Sequence, residues 1–406
     1  MKIRDVLANR ALQTVAILLI VGACIYFKAR QNYLQQDPVN SNFFSFWLSG
    51  HMVWTGQSPY DPAQFQAGFD AFNATYRPSK ILQYPLPLMY VLAPLGLLPV
   101  GAAYFAWQLA IQVTIAIAVF ALLRNDPGLR WLFPVLTLTL LFFGPVYLSL
   151  QVGSIGAIAL LAVALAIVFL QQKRPFLAGL VLALTFLKPP QALTLMALAG
   201  AWFLMRREWK AIGGVLTGGL LLLAVWMLRD PQWLVKFRGS SDNLLGHTLG
   251  VQSNVFGFAY LACGKAAGCM WIIGAISAVV IMLLATLLLW RHRTLWDDWQ
   301  AFNLIIPIGF LCAVYLWSYD QLLYVIPIVW ITAQLSRRRY AAIGVAAFLV
   351  VLDVISFVAL GIQAVTQQDL SSLSTTMLVL AMCLWLRSGQ GPSAATGQAA
   401  ALTAAP

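Results

Sequence analysis

Charge is what this chain has least of. Asp, Glu, Lys and Arg make up 9% of its 406 residues, where a soluble domain carries ~25%. Hydrophobic residues make up 61%, and the mean hydropathy is +0.81. A water-soluble globular domain is thereby excluded, leaving an all-α polytopic membrane protein. Histidine is scarcer still. His51, His247 and His292 are scattered, and no CxxC or HExxH pattern occurs, so no metal and no cofactor are expected. Five cysteines make no disulfide framework. Cys24, Cys312 and Cys383 lie in apolar runs and read as packing residues. Cys263 and Cys269 bracket "GKAAG" and would bridge if that segment faces an oxidising compartment. Acids are few, 13 against 25 Lys and Arg, for a formal charge of +12. No Lys/Arg stripe interleaves with aromatics on a polar face, which argues against a nucleic-acid partner.

The positive charge has another use, which is setting topology. Apolar runs fall near 11–27, 101–123, 131–149, 153–170, 175–187, 190–205, 211–228, 269–290, 300–317, 321–336, 340–360 and 370–387. They predict a bundle of about 12 transmembrane helices. With the N-terminus in the cytoplasm, "RNDPGLR", "QQKRP", "RREWK", "RHRTLWDD" and "SRRRY" fall inside together with the C-terminus. Most of the positive charge then lies on the inner face. The basic head and apolar core of "MKIRDVLANRALQTVAILLIVGACIYF" resemble a signal peptide, but with so many spans following they read as a retained first helix. The apolar, proline-rich stretch 84–99 must not cross in this scheme and is expected to be re-entrant or interfacial. If it does cross, 124–130 faces outward and one later piece is not a full span. The expectation is one membrane domain, 1–387, with a first outer loop at 28–83 and a second at 229–268. The small-residue tail 388–406 reads as disordered and cytoplasmic.

This topology gathers the unusual residues on the outer face. In the first loop, Phe43, Trp47 and Trp54 recur at roughly helical spacing, predicting a short helix in the membrane interface. Asp61 follows "SPY" and is expected to cap a turn or helix. Further on come Gln151 in "YLSLQVGSIG", Asp320 in "WSYDQLLY" and the loop carrying Arg238 and His247. "LKPPQ" places Lys188 and two prolines inside an apolar run. A charge near mid-bilayer costs ~3 kcal/mol or more, and proline disfavours helical geometry in the residue before it. The thirteen-residue leg 175–187 spans only ~20 Å of a ~30 Å hydrocarbon core. Lys188 is therefore expected at the apex of two helical legs, lining a polar cavity near Asp320 that opens to the outer leaflet. The bland alternative is a lysine snorkelling to the interface. Asp353 is an intramembrane acid, expected to hydrogen-bond a neighbouring helix. A cation and carboxylates at a lipid interface suit a lipid-linked phosphosugar. Lys188, helped by Arg238, Lys236 or His247, would meet the phosphate. An Asp would take a proton from the acceptor hydroxyl.

The stretches "NFFSFWLSGHMVWTGQSPYD", "YPLPLMYVLAPLGLLP", "LQVGSIGAIALL", "AGLVLALTFLKPPQALTLM" and "WSYDQLLYVIPI" resemble, in order and spacing, the bacterial family 87 glycosyltransferases. The resemblance runs from about residue 40 to about 335. It implies a GT-C-like architecture with interfacial helices in the first outer loop. It also implies inverting transfer of a sugar, commonly mannose, from a polyprenyl-phosphate donor to a lipid or glycan acceptor outside the plasma membrane. Where the family typically has an Asp, this chain has Asn42, which cannot act as a carboxylate base. Asp37 or Asp320 is expected to take that role. Lys188, His247, Arg238, Gln151, Asn42 and Tyr84 are the expected donor-binding residues. Two other classes fit the sequence less well. One is a secondary transporter or flippase, although the KPP break has no counterpart in the second half. The other is an inactive lipid-carrier-binding homologue.

Overall fold

A computed structural model describes residues 10–227, 230–238 and 252–388. His247, much of the second outer loop, the first nine residues and the tail from 389 lie outside the described residues. The chain is helical, with no strand among the described residues. It runs through α1 (Arg10–Gln35), α2 (Asn42–Trp54), α3 (Pro62–Ala71), α4 (Leu86–Gly96), α5 (Val100–Leu123), α6 (Leu132–Leu140), α7 (Gly144–Val152) and α8 (Gly156–Gln171). It continues through α9 (Pro175–Leu182), α10 (Pro189–Met205), α11 (Trp209–Met227), α12 (Val255–Ala262), α13 (Ala267–His292), α14 (Asp298–Leu311), α15 (Val325–Ser336), α16 (Ala341–Thr366) and α17 (Leu373–Ser388).

Nearly every apolar run became a helix, but not every helix is a membrane span. Among the described residues five are long and apolar enough to cross, and six if α6 and α7, bent by 57° at their junction, count as one broken span. Helix length and composition thus support five or six of the expected twelve crossings. The apolar helices at 86–96, 156–171, 175–187 and 209–224 fall in the range of 10–17 residues, and sixteen residues reach only ~24 Å.

In the first loop, helix α2 forms where predicted; Phe43, Phe44, Phe46 and Trp47 are buried within the protein, and Trp54 is 55% exposed. Phe44 packs against Phe69 and Phe72, which belong to α3 and the residue after it. On the other side α2 lies against α4, backbone on backbone. A Cβ on Gly96 would sit 2.4 Å from the His51 nitrogen. The α2–α4 pair thus forms a tight helical wall, and α4, the stretch expected to be re-entrant, is part of it. Asp61 caps α3, accepting from Ala63 N at 2.9 Å and Gln64 N at 3.1 Å. Asp353 departs from expectation, since its buried Oδ1 finds no hydrogen-bond partner.

The KPP break behaves as its chemistry dictates. A 3₁₀ turn, Ala183–Leu187, extends α9, and Lys188 then leaves helical geometry at φ −130° and ψ 75°. Pro189 starts α10 at the first helical position, where a missing N–H costs nothing. Cys263 and Cys269 form a disulfide across the turn between α12 and α13.

Candidate active site

A cavity of about 540 Å³ opens between the first loop and the segment before α15. Four pieces of chain surround it: the start of α2 with Tyr76, the 82–84 segment, the end of α7, and residues 315–319 with Gln363 from α16. Gly153 sets the α7 wall. Its φ of +66° ends the helix, and its carbonyl accepts from Trp107 Nε1 at 3.0 Å, turning Ser154 and Ile155 onto the cavity. A side chain there would also strike the Phe43 Cβ, at 2.7 Å.

The lining is neutral and rich in hydrogen-bonding groups. Asn42, Tyr76, Gln83, Tyr84, Tyr319 and Gln363 face the cavity, and no carboxylate or cation lines it among the described residues. The Tyr76 hydroxyl donates to Asn42 Oδ1 at 2.9 Å. Burial pushes the Tyr76 phenol above its usual range, and the Asn42 bond offsets part of that rise. Tyr76 is therefore a neutral donor at ordinary pH. Trp317 and Tyr319 present nearly parallel ring faces, centroids 6.4 Å apart.

Ionic groups lie one layer behind. Lys188 is 5% exposed and Asp320 0%. They form a salt bridge, Lys188 Nζ to Asp320 Oδ1. The same ammonium lies 4.9 Å from the ring centroid of Tyr319, so one aromatic ring separates the pair from the cavity. A second buried acid, Asp369, meets the same segment. Its Oδ2 accepts from Ser318 N at 2.6 Å and its Oδ1 from Ser372 Oγ at 2.9 Å. Asp320 Oδ2 accepts from Trp317 N at 3.2 Å. Two carboxylates thus hold the backbone of 317–318, and with it the aromatic wall.

The residues expected from sequence divide into three groups. Asn42 and Tyr84 line the cavity. Lys188 and Asp320 are brought together behind it, each the other's partner. Asp37, Gln151 and Arg238 do not line it. Asp37 is an exposed cap, accepting from Val39 N at 3.0 Å and Asn40 Nδ2 at 2.6 Å. Gln151 accepts a hydrogen bond from Gln36 of the segment after α1. Arg238 is exposed at the end of the described stretch 230–238, where Lys236 pairs with Asp230 at 2.7 Å. His247 lies outside the described residues. No group of three His, Cys, Asp or Glu capable of holding a metal occurs among the described residues.

A family model, glycosyltransferase family 87, matches residues 82–313, more than half of the chain. The chain belongs to glycosyltransferase family 87. Membership implies a membrane glycosyltransferase, in keeping with the five or six apolar helices. No curated protein and no solved structure matches it. Much of the family 87 cavity comes from outside the matched range: Asn42 and Tyr76 precede it, and Tyr315, Trp317, Tyr319 and Gln363 follow. Of these, sequence reasoning missed Tyr76, Tyr315, Trp317, Tyr319 and Gln363. A signal existed for the middle three. Aromatics alternating in "YLWSYD" just before a buried acid are unlike the helical spacing around them.

Proposed function

We propose that this family 87 protein transfers a sugar, mannose by the family's commonest assignment, from a polyprenyl-phosphate donor to a glycolipid or glycan acceptor. In this reading the sugar occupies the neutral cavity, on the extracytoplasmic side of the plasma membrane, and both termini are cytoplasmic. The acceptor oxygen attacks the anomeric carbon, the bond to the phosphate oxygen breaks, and the phosphate leaves with the electron pair. The lipid-linked sugar phosphate is itself the substrate, so no further cofactor is invoked.

The observation that carries the reading is the Lys188–Asp320 pair directly behind Tyr319. A buried ammonium is left uncompensated without an anion beside it, and a phosphate could stand in for the carboxylate. Donor phosphate reaching Lys188 past Tyr319 would take the ammonium from Asp320. The freed carboxylate would then accept the proton of the acceptor hydroxyl. Donor arrival and base release are thereby one event. The sidedness is supported by the Cys263–Cys269 disulfide, which belongs in an oxidising compartment, and by the basic segments at the opposite helix ends.

One observation favours a second reading, a lipid-carrier-binding homologue without transfer: no carboxylate lines the cavity among the described residues. A transfer assay separates the two. Purified protein in lipid would be given radiolabelled polyprenyl-phosphate-mannose and a membrane lipid extract as acceptor pool. Transfer in wild type, lost on Asp320→Asn and on Lys188→Ala, is the expected result. Donor binding without transfer or hydrolysis, across several polyprenyl-phosphate sugars, would establish the carrier-binding reading instead.

A further inference from the structure

Lys28 is a cation that neither the cavity nor the buried pair uses. It follows directly on the apolar run 11–27 and lies in the last third of the candidate span Leu12–Gln35. Its ammonium lies 5.1 Å from the ring centroid of Phe142 and 5.1 Å from that of Tyr147. No salt bridge includes it among the described residues. Its surroundings are apolar and open: Tyr26, Phe27 and Phe142 are exposed large apolar side chains.

The placement relative to the cavity comes from α7. Tyr147 and Gln151, one turn apart, face α1 and the segment after it, meeting Lys28 and Gln36. Leu148 and Val152, on the adjacent face of the same two turns, line the cavity. Lys28 therefore stands at the lipid-side flank of the helix whose next face is the cavity wall.

We propose that Lys28, held by Phe142 and Tyr147, captures the phosphate of the lipid-linked donor at the bilayer surface before the sugar enters the cavity. The proposal rests on the glycosyltransferase reading above. An ammonium with three donors and no counter-ion recognises a phosphate monoanion or diester through charge-assisted hydrogen bonds. Snorkelling alone would carry the side chain into water. Here two rings hold it against α7 instead, with the exposed apolar face of α1 beside it for an isoprenoid chain. Lys188 is engaged by Asp320, so a phosphate arriving from the bilayer meets Lys28 first.

The test measures binding apart from transfer. Full-length protein in phosphatidylcholine nanodiscs would be titrated with undecaprenyl phosphate, which carries no sugar, and separately with phosphatidylglycerol. Lys28→Gln is expected to weaken undecaprenyl phosphate binding roughly tenfold and to raise the donor KM similarly, while Lys28→Arg retains both. Unchanged thermal unfolding of each variant checks that the fold is intact. Wild-type binding by Lys28→Gln would overturn the proposal. So would equal competition by phosphatidylglycerol, which would make this a site for any anionic lipid. If Lys28→Gln loses binding but no variant or wild type transfers sugar, the capture site stands and the transferase reading falls.

Discussion

At the scale of single residues, the question is why an acid and a lysine sit in the interior. Neither Lys188 nor Asp320 is tolerable there without the other. Lys188→Ala is expected to cost ~3–5 kcal/mol by stranding a buried carboxylate. The double variant Lys188→Met with Asp320→Leu should recover much of that, as a double-mutant cycle of thermal unfolding in detergent would show. Equal losses in single and double variants would argue against direct coupling. Asp37 calls for a milder expectation. Its Oδ2 holds Asn40, whose Oδ1 accepts from Thr75 N at 2.7 Å, Thr75 Oγ1 at 2.8 Å and Tyr76 N at 3.0 Å. Asp37 thus positions the loop carrying Tyr76. Asp37→Asn should keep most transfer, whereas a base would lose nearly all. Tyr76 itself supplies a pH prediction. Its folded-state pKa is raised above the usual 10.0 by burial, so its stabilising contribution is full below pH about 10 and is lost as pH climbs through the raised value. Tyr76→Phe should flatten that alkaline decline in thermal unfolding. An unchanged slope would remove Tyr76 as its cause.

Helices and turns were more legible than their placement. Periodicity and proline placed the KPP break, and chain-capping chemistry placed Asp61, because both are decided within a few residues. Whether a helix crosses the bilayer, or whether α2 lies on lipid or under α3 and α4, depends on partners far along the chain. The aromatic spacing of α2 is the same for either outcome, and burial decided it. Gln363 was hidden for a similar reason: within the long apolar α16 nothing local distinguishes a cavity-lining glutamine from a helix-end one. The pair Lys188 and Asp320 was legible because a charge in an apolar run demands a partner. The α2–α4 contact gives a sharp expectation. Gly96→Ala would press a methyl onto the His51 backbone and should cost ~1–3 kcal/mol. It should also distort the cavity wall enough to lower donor affinity. Wild-type stability would mean that the helices part without cost.

For the whole molecule, the disulfide predicts a labelling pattern. In intact, unreduced cells, maleimide should leave Cys263 and Cys269 unmodified, and reduction should expose both to a membrane-impermeant reagent. Labelling that requires inverted vesicles would reverse the proposed sidedness. The cavity itself draws on the chain from Asn42 to Gln363. Ribosomes release this chain from its N-terminus, so the family-matched stretch 82–313 is inserted before α16 is available. The cavity is complete only once nearly the last helices have docked. Synthesis order therefore acts as a safeguard: a translation product stopped short of α16, however well inserted, would lack the Gln363 wall and is expected to transfer no sugar.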